Sequence, residues 1–202
     1  MTDSKNLFPH NHYINAKLRT RLTKQQPLLI WLSGLSGSGK STIANNLEKK
    51  LYANGFLSYL LDGDNIRVGL NKDLGFSNDD RKENIRRIAE VSKLMIDSGI
   101  IVISAFISPF AQERSFAKKL VHEKNYFLVH IECSIEKCEQ RDVKGLYKKV
   151  RNGEIKNFTG IDSPYETPNN PNLRVNTEKE SVNESVNKIY EAIYDKIKIH
   201  GV

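Results

Sequence analysis

A glycine-rich loop that ends in lysine and serine carries the clearest chemistry in this sequence. Its residues are Gly34, Leu35, Ser36, Gly37, Ser38, Gly39, Lys40, Ser41 and the adjoining Thr42. They match the pattern G-x-x-x-x-G-K-[ST], in which backbone N–H groups and a helix N-terminus surround phosphate oxygens. The lysine of this pattern reaches the β- and γ-phosphates, and the hydroxyl joins the shell of Mg²⁺. The loop therefore predicts a nucleoside triphosphate site; the alternative is a glycine turn before an ordinary helix.

Two carboxylates, Asp62 and Asp64, follow the second apolar run of the chain. A carboxylate at the end of a strand can orient an attacking hydroxyl, accept its proton or hold a metal-bound water. If the strand continues that far, alternation places both side chains on the same side. The alternative is a polar turn with solvated charges.

A helical pattern after residue 77 is rich in cations. Arg81 and Asn84 lie one helical turn apart on one face, and an arginine fork suits a phosphate or sulfate group. The remaining cations of this pattern are equally compatible with a solvated helix face; they are Lys82, Arg86 and Arg87.

Two later segments are also candidates for anion binding. Ser108 follows the third apolar run and could bind an anion through its N–H or hydroxyl, although a helix cap before Pro109 is the simpler interpretation. The basic stretch 144–151 combines glycine with lysine and arginine, which suggests a lid that closes over phosphates. An exposed basic helix is the alternative for that stretch.

Apolar runs of strand length alternate with helical patterns, and these elements must position the motifs. Strands are predicted at 28–32, 56–61, 100–103, 126–131 and, from a shorter pattern, 173–176. Helices are predicted at 41–54, from Ser77 to Gly99, and from Ser181, where Glu184 completes a capping box. This alternation predicts an α/β three-layer sandwich around a mostly parallel sheet, the P-loop fold, with ligands at the carboxyl ends of the strands.

Length and composition limit the class of protein. The chain has 202 residues and a net charge of +7, which fits one domain at 25–202 after an extended lead-in at 1–24. The absence of a signal peptide and of an apolar run near ~20 residues predicts a cytoplasmic protein with no membrane partner. Cys133 and Cys138 predict reduced thiols rather than a disulfide framework or a zinc site.

The phosphoryl acceptor is not determined by the loop alone. The sequence has no N-K-x-D motif for guanine, and its length suits a small-molecule kinase better than a motor ATPase. The alternatives are a kinase for a sugar or short acid, a nucleic-acid-binding ATPase and a silent binding protein. No RNP-like, helix-turn-helix or zinc pattern accompanies the positive charge, so we expect no nucleic-acid partner.

Beyond the loop, many separate blocks of the chain resemble the adenylyl-sulfate kinase family. These blocks are Asp62–Arg67, Gly69–Asn71, Asp73–Ser77, Asp80–Arg87, Phe106–Pro109, Lys144–Tyr147 and Asn157–Glu166. The likeness runs in order from about Trp31 to the final helix and fits the free-standing form of the enzyme, because no sulfurylase-sized extension accompanies it. Such a series of blocks is far more specific than the phosphate loop by itself.

The resemblance implies transfer of the γ-phosphoryl group of ATP, with Mg²⁺, to the 3′-hydroxyl of adenosine 5′-phosphosulfate. The residues implied to contact that nucleotide are Asp64, Arg67, Phe76, Arg81, Asn84, Ile107, Ser108, Lys144, Asn157 and Phe158. Of these, Phe76 and Phe158 would flank the adenine.

The resemblance also implies catalytic roles. Lys40 and Lys144 would neutralise the transferred group while Asp64 orients the hydroxyl. Ser108 matches the serine described in this family as a phosphoserine intermediate, but direct in-line transfer is simpler, and we expect Ser108 to act chiefly as a ligand.

The remaining implications concern the metal, the lid and the assembly. Ser41 and Asp62 would hold Mg²⁺, and a lid would extend over about 142–160. The resemblance further implies a homodimer.

Overall fold

The computed structural model describes residues 8, 10 and 12–199. Its strands are β1 Leu29–Ser33, β2 Ser58–Asp62, β3 Ile101–Ala105, β4 Tyr126–Glu132 and β5 Leu173–Asn176. They form one five-stranded sheet in the order β2-β3-β1-β4-β5, and every neighbouring pair is parallel. All predicted strands are present, and the sheet is parallel throughout.

Helices cover both faces of this sheet. They are α1 Ala16–Thr23, α2 Lys40–Ala53, α3 Gly63–Val68, α4 Asn78–Asp97, α5 Ala111–Leu120, α6 Ile135–Arg141, α7 Leu146–Arg151 and α8 Val182–Ile197. Apolar side chains of α2 and α8 pack on one face, and those of α4 and α5 pack on the other. Because both faces are covered, every residue of β1 is buried, which explains its uninterrupted apolar sequence. The predicted three-layer sandwich is confirmed.

Local sequence signals set the ends of the main helices. The Ser77 hydroxyl accepts the N–H of Asp80 at the start of α4. Ser181 and Glu184 form the predicted capping box at the start of α8. Gly99 follows α4 with φ 90°, a conformation that favours glycine.

The lead-in contains a helix that the sequence pattern did not predict. The expectation of an extended segment over 1–24 is wrong for Ala16–Thr23, where α1 begins after the Asn15 side chain accepts the N–H of Leu18. None of the residues of α1 is buried, so its sequence shows no apolar stripe. Residues 1–7, 9 and 11 lie outside the described part of the chain.

The predicted helix start at Pro109 is also wrong, because α5 begins at Ala111. Ser108 has φ 40°, outside the extended region that a serine at a helix N-cap usually adopts. The Pro109 carbonyl accepts the N–H of Glu166 at 2.8 Å, and the Glu166 carboxylate accepts the N–H of Ala111 at 2.6 Å. A residue far along the chain thus keeps 106–110 as a loop at the end of β3.

Within the described ranges, no helix has the length and apolarity required to cross a membrane.

Candidate active site

A cavity of about 850 Å³ lies at the carboxyl ends of the strands, where the parallel sheet predicts a ligand site. Most of the predicted site residues line it: Ser36, Gly37, Gly39, Lys40, Ser41, Thr42, Asp62, Asp64, Arg67, Phe76, Arg81, Asn84, Ile107, Ser108, Lys144 and Phe158. The predicted residues outside its lining are Gly34, Leu35, Ser38 and Asn157. One cavity therefore collects motifs that lie more than a hundred residues apart in the sequence.

The glycine-rich loop joins β1 to α2, as predicted. A Cβ atom at Gly34 would lie 2.6 Å from the carbonyl oxygen of Ile131 in β4, so this close approach requires glycine. Gly39 has φ 97° and precedes the first residue of α2. The loop thus leads into the N-terminus of α2, where Gly39, Lys40 and Ser41 line the cavity, and a helix N-terminus favours a bound anion.

Lys40 is a buried cation at the start of α2. Its side chain is nearly enclosed, and its ammonium group donates to the Leu35 carbonyl at 2.6 Å. Burial lowers the pKa of Lys40 to about 8. A buried ammonium group in a phosphate-binding loop is poised to interact strongly with an anion, because water does not screen it.

The two carboxylates occupy the junction of β2 and α3, so the strand does not continue far enough to place both by alternation. The strand ends at Asp62, which caps α3 by accepting the N–H of Asp64 at 3.1 Å. The second oxygen of Asp62 is buried and has no hydrogen-bond partner among the described residues. Asp64 lies in the first turn of α3 and is ion-paired with Lys144. Both carboxylates nevertheless line the cavity.

Arg81 ties α4 to a distant loop. Its Nε donates to the Phe76 carbonyl at 2.9 Å, and its two terminal nitrogens donate to the Thr159 hydroxyl and the Asn157 carbonyl, each at 2.8 Å. Burial lowers the pKa of Arg81, which nonetheless stays charged at neutral pH. Three of its five N–H groups thus serve the protein, and the others are left for a ligand.

Arg81 thereby brings together the two predicted aromatic walls. Phe76 is largely exposed, and the guanidinium of Arg67 stacks on its ring at 4.5 Å. Phe158 is buried and packs edge-to-face on Tyr147, with ring centroids 5.0 Å apart. Both rings line the cavity, as the adenine-flanking prediction requires.

Three further cations in the first half of α4 form ion pairs outside the cavity. Arg86 pairs with Glu83, and Arg87 pairs with Glu83 and Asp73. Lys82 lies 3.6 Å from Asp79 on the exposed side of the helix. The solvated-face interpretation is therefore the correct one for these three.

Ser108 is held from two sides. Its hydroxyl accepts the indole N–H of Trp31 at 2.9 Å, and its carbonyl accepts Nη1 of Arg114 at 2.6 Å. The other terminal nitrogen of Arg114 donates to the Glu166 carbonyl at 2.6 Å. Ser108 is 1% exposed, and these contacts maintain its positive φ. Sequence reasoning missed Arg114, because its role depends on a loop that lies far along the chain.

The predicted lid segment is hydrogen-bonded to the phosphate loop. The Tyr147 hydroxyl donates to the Ser36 carbonyl at 2.9 Å, and Lys144 reaches Asp64. The Asp142 carboxylate accepts the N–H groups of Tyr147 and Lys148, each at 3.0 Å, and so begins α7. Of the cations at 144–151, Lys144 lines the cavity, whereas the others project from α7.

A further wall of the cavity was not predicted from the sequence. Arg141 donates to the Thr177 carbonyl at 2.7 Å, and the Thr177 hydroxyl donates to the Ser38 carbonyl of the phosphate loop at 2.9 Å. Arg141, Thr177 and Val182 all line the cavity beside that loop. No local motif marks these residues, since they meet the loop only through the packing of α6 and the β5–α8 connection.

One side of the cavity is thus built around a phosphate loop, and the other carries its own cations and aromatic rings. Asp64 lines the same cavity and interacts electrostatically with both Lys40 and Arg67. An enzyme that transfers phosphate to water needs no second binding side, whereas a kinase must hold its acceptor beside the nucleotide. The fold and the site define a P-loop kinase.

Comparisons with known proteins identify the family. The adenylylsulphate kinase family matches residues 26–176. The adenylyl-sulfate kinase of Clostridium acetobutylicum is 55% identical over 189 residues, which cover 94% of this chain and 92% of that protein. The adenylyl-sulfate kinase of Clostridium kluyveri is 54% identical over 195 residues, which cover 96% of this chain and 98% of that protein. The Mycobacterium tuberculosis APS kinase CysC in complex with AMPPNP and APS is 45% identical, with a TM-score of 0.80 over 84% of this chain and 98% of that one. The chain belongs to the adenylylsulphate kinase family.

Proposed function

We propose that this protein transfers the γ-phosphoryl group of ATP to the 3′-hydroxyl of adenosine 5′-phosphosulfate, forming ADP and 3′-phosphoadenosine 5′-phosphosulfate. The observation that carries the proposal is one cavity with two separate sets of cations, Lys40 on one side and Arg67 with Arg81 on the other. Two anionic nucleotides that meet in this cavity would each have their own countercharges. The names of the similar kinases and the APS complex of the mycobacterial relative support the same reaction.

The roles of the central residues follow from their charge and position. Lys40 and Lys144 would balance the charge of the transferred phosphoryl group. Asp64 interacts electrostatically with Lys40 on one side and with Arg67 on the other, so its carboxylate could accept the proton that the attacking 3′-hydroxyl loses. Its ion pair with Lys144 joins the acceptor side to the lid. Most of the catalysis would then come from positioning and charge neutralisation.

The oxygen atoms available at the phosphate loop fit Mg²⁺. Asp62 offers a buried carboxylate oxygen without a protein partner, and Ser41 lines the same cavity. No group of three or more His, Cys, Asp or Glu side chains among residues 12–199 could form a protein-only metal centre. Mg²⁺ is usually held by one or two protein oxygens together with substrate phosphates, so Ser41 and Asp62 would hold it. Its chemistry there would be to neutralise phosphate charge.

The surroundings of Ser108 favour direct transfer over a phosphoserine intermediate. Its hydroxyl is enclosed and already accepts the Trp31 indole N–H, so a phosphoryl group on that oxygen would displace a buried hydrogen bond. We infer that Ser108 contributes to substrate binding and to the shape of the β3–α5 loop.

The proposal extends to organisation and setting. Residues 25–202 would act as one kinase domain after the lead-in at 1–24, and 142–160 would act as the lid, which the hydrogen bond from Tyr147 to the phosphate loop supports. The free thiols of Cys133 and Cys138 agree with a reducing, cytoplasmic compartment. A homodimer is the expected assembly.

The proposed function is tested by measuring ADP release from ATP·Mg with and without adenosine 5′-phosphosulfate. We expect ADP to form only when the sulfated nucleotide is present, with one 3′-phosphorylated product for each ADP. Adenosine 5′-monophosphate, which lacks the sulfate, serves as the comparison acceptor and should support much less turnover. Release of ADP at the same rate with and without the sulfated nucleotide would reject the proposal.

A further inference from the structure

Asn71 is a fully buried polar residue to which the proposed chemistry gives no role. It lies in the turn after α3, where its N–H donates to the Ile66 carbonyl at 3.0 Å and its carbonyl accepts the N–H of Leu74 at 3.1 Å. These two hydrogen bonds fix its backbone and therefore the position from which its side chain extends. Asn71 does not line the cavity.

The side chain of Asn71 acts on a residue that does line the cavity. Its amide nitrogen donates to the carbonyl oxygen of Asn84 on α4 at 2.9 Å. The Asn84 nitrogen has no acceptor among residues 12–199, and Asn84 lies in the wall that also contains Arg67 and Arg81. Because one end of an asparagine amide only accepts and the other only donates, occupying the oxygen leaves the donor end for a ligand.

If Asn71 served only to fill space in the core, it would lower the stability of the fold. Its own carbonyl oxygen is buried without a hydrogen-bond partner in the described part of the chain. An unsatisfied buried polar atom destabilises a protein, and a leucine of similar volume would avoid that cost. Such a residue calls for a role beyond the core, and its one side-chain contact is Asn84.

We propose that Asn71 is a positioning residue that fixes the orientation of the Asn84 amide. In that orientation Asn84 presents N–H donors to the cavity, so the wall formed with Arg67 and Arg81 offers donors alone. A donor-only wall selects the hydrogen-bond-accepting atoms of an anionic nucleotide and rejects ligands that must donate there. The inference rests on the proposed function, because it assigns this wall to the phosphoryl acceptor.

The decisive variant is Asn71→Asp, which keeps the shape and, in its ionised form, can only accept. Because burial raises the pKa of a carboxyl group, the variant is assayed on the alkaline side of neutrality. The Asn84 amide must then reverse to donate to the new carboxylate, which turns its carbonyl oxygen toward the acceptor. We expect the KM for adenosine 5′-phosphosulfate to rise about tenfold to a hundredfold, the equivalent of one lost hydrogen bond and one repulsive contact. The KM for ATP should change less than about twofold, because the phosphate loop is not involved.

A double-mutant cycle separates this role from a purely structural one. In an Asn84→Ala background the amide is absent, so Asn71→Asp should produce little further increase in that KM. An equal increase in both backgrounds, or an equal increase in both KM values, would overturn the proposal. Asn71→Leu covers the case in which the aspartate variant does not fold; its smaller increase in KM should likewise vanish when Asn84 is alanine.

The wild-type protein distinguishes the two levels of inference. If wild-type turnover depends on adenosine 5′-phosphosulfate but the cycle shows no coupling, Asn71 lacks the assigned role and the proposed function stands. If wild-type turnover is independent of that nucleotide, the proposed function itself fails.

Discussion

The two sides of the cavity are built in different ways. The phosphate side is built around one continuous segment, 34–42, with Arg141, Thr177 and Val182 beside it. In a loop of this kind the backbone provides most of the groups that bind phosphate. The acceptor side is assembled from α3, α4, the β3–α5 loop and the lid, and it binds through side chains. A backbone site needs only the right local conformation, whereas a side-chain site needs each of its elements to be held by others.

The supporting contacts show this difference directly. Lys40 has one principal contact, to a carbonyl within its own loop. Arg81 makes three hydrogen bonds, two of them to residues of the lid segment 142–160. Ser108 depends on Trp31 in the sheet and on Arg114 in α5. The acceptor side is therefore more vulnerable to substitutions outside the cavity lining.

Replacing Lys40 should have the largest effect and test the phosphate side alone. Lys40→Met keeps the length and apolar stem of the side chain but removes the charge, and we expect kcat to fall about a thousandfold. The KM for adenosine 5′-phosphosulfate should stay close to the wild-type value, because its cations are separate. ADP release at saturating ATP, measured over a range of adenosine 5′-phosphosulfate concentrations, gives both values.

Lys49→Met, on the exposed side of the same helix, is the matched control and should retain activity. If Lys40→Met impaired binding of both nucleotides equally, the division of the cavity into two sides would be wrong.

Replacing Arg81 should have the next largest effect and test the acceptor side. Arg81→Ala removes a charge and the bridge between Phe76 and the Asn157–Thr159 segment. We expect the KM for adenosine 5′-phosphosulfate to rise about a hundredfold, while the KM for ATP rises only severalfold. Initial rates with each substrate varied in turn give both constants.

Arg86→Ala is the control on the same helix, because Arg86 pairs with Glu83 at the surface and does not line the cavity. It should behave as wild type. Equal losses of affinity for the two nucleotides in Arg81→Ala would contradict the separate assignment of the cations.

The difference between a locally built side and an assembled side also explains which features could be predicted from the sequence. The β1–loop–α2 unit, the strands and the Ser181–Glu184 capping box depend on neighbouring residues, and they were predicted close to their observed bounds. The roles of Arg141 and Arg114 depend on contacts across the fold, which no spacing encodes. Resemblance supplied the residues of the acceptor side, but it could not reveal that Asn71 holds Asn84.

The helix at Ala16–Thr23 was missed for another physical reason. Helix prediction from a single sequence relies on an apolar stripe, and α1 buries none of its residues. It is held instead by the Asn15 cap and by polar contacts such as that of Arg19 with the Asp97 carbonyl. The positions of Asp62 and Asp64 also depend on a cap. Asp62 caps α3, so β2 ends there and Asp64 lies on a helix rather than on the strand.

The smallest expected effect concerns a buried charge beneath the acceptor side. Glu113 lies in the first turn of α5, is largely buried and has no hydrogen-bond partner for either oxygen among the described residues. Burial raises the pKa of Glu113 to about 7. Its carboxylate also raises the pKa of nearby Arg81, although burial of that guanidinium has the larger, opposite effect. On the phosphate side the buried charge is a cation that phosphate can compensate, whereas Glu113 has the same sign as both substrates.

The raised pKa of Glu113 determines how the stability of the fold depends on pH. An unfolded glutamate has a pKa of about 4.3, so between about pH 4 and pH 7 the folded chain binds more protons than the unfolded chain, and the free energy of unfolding falls as pH rises. Glu113→Gln removes this penalty. We expect the variant to be about 2 kcal/mol more stable than wild type at pH 8, with the difference shrinking toward zero near pH 4. Thermal unfolding across that pH range measures it, and Glu191→Gln, an exposed substitution on α8, is the control. A stability gain that is the same at pH 5 and pH 8 would show that ionisation of Glu113 is not the cause. The contrast between a buried anion beneath the acceptor side and a buried cation on the phosphate side would then be wrong.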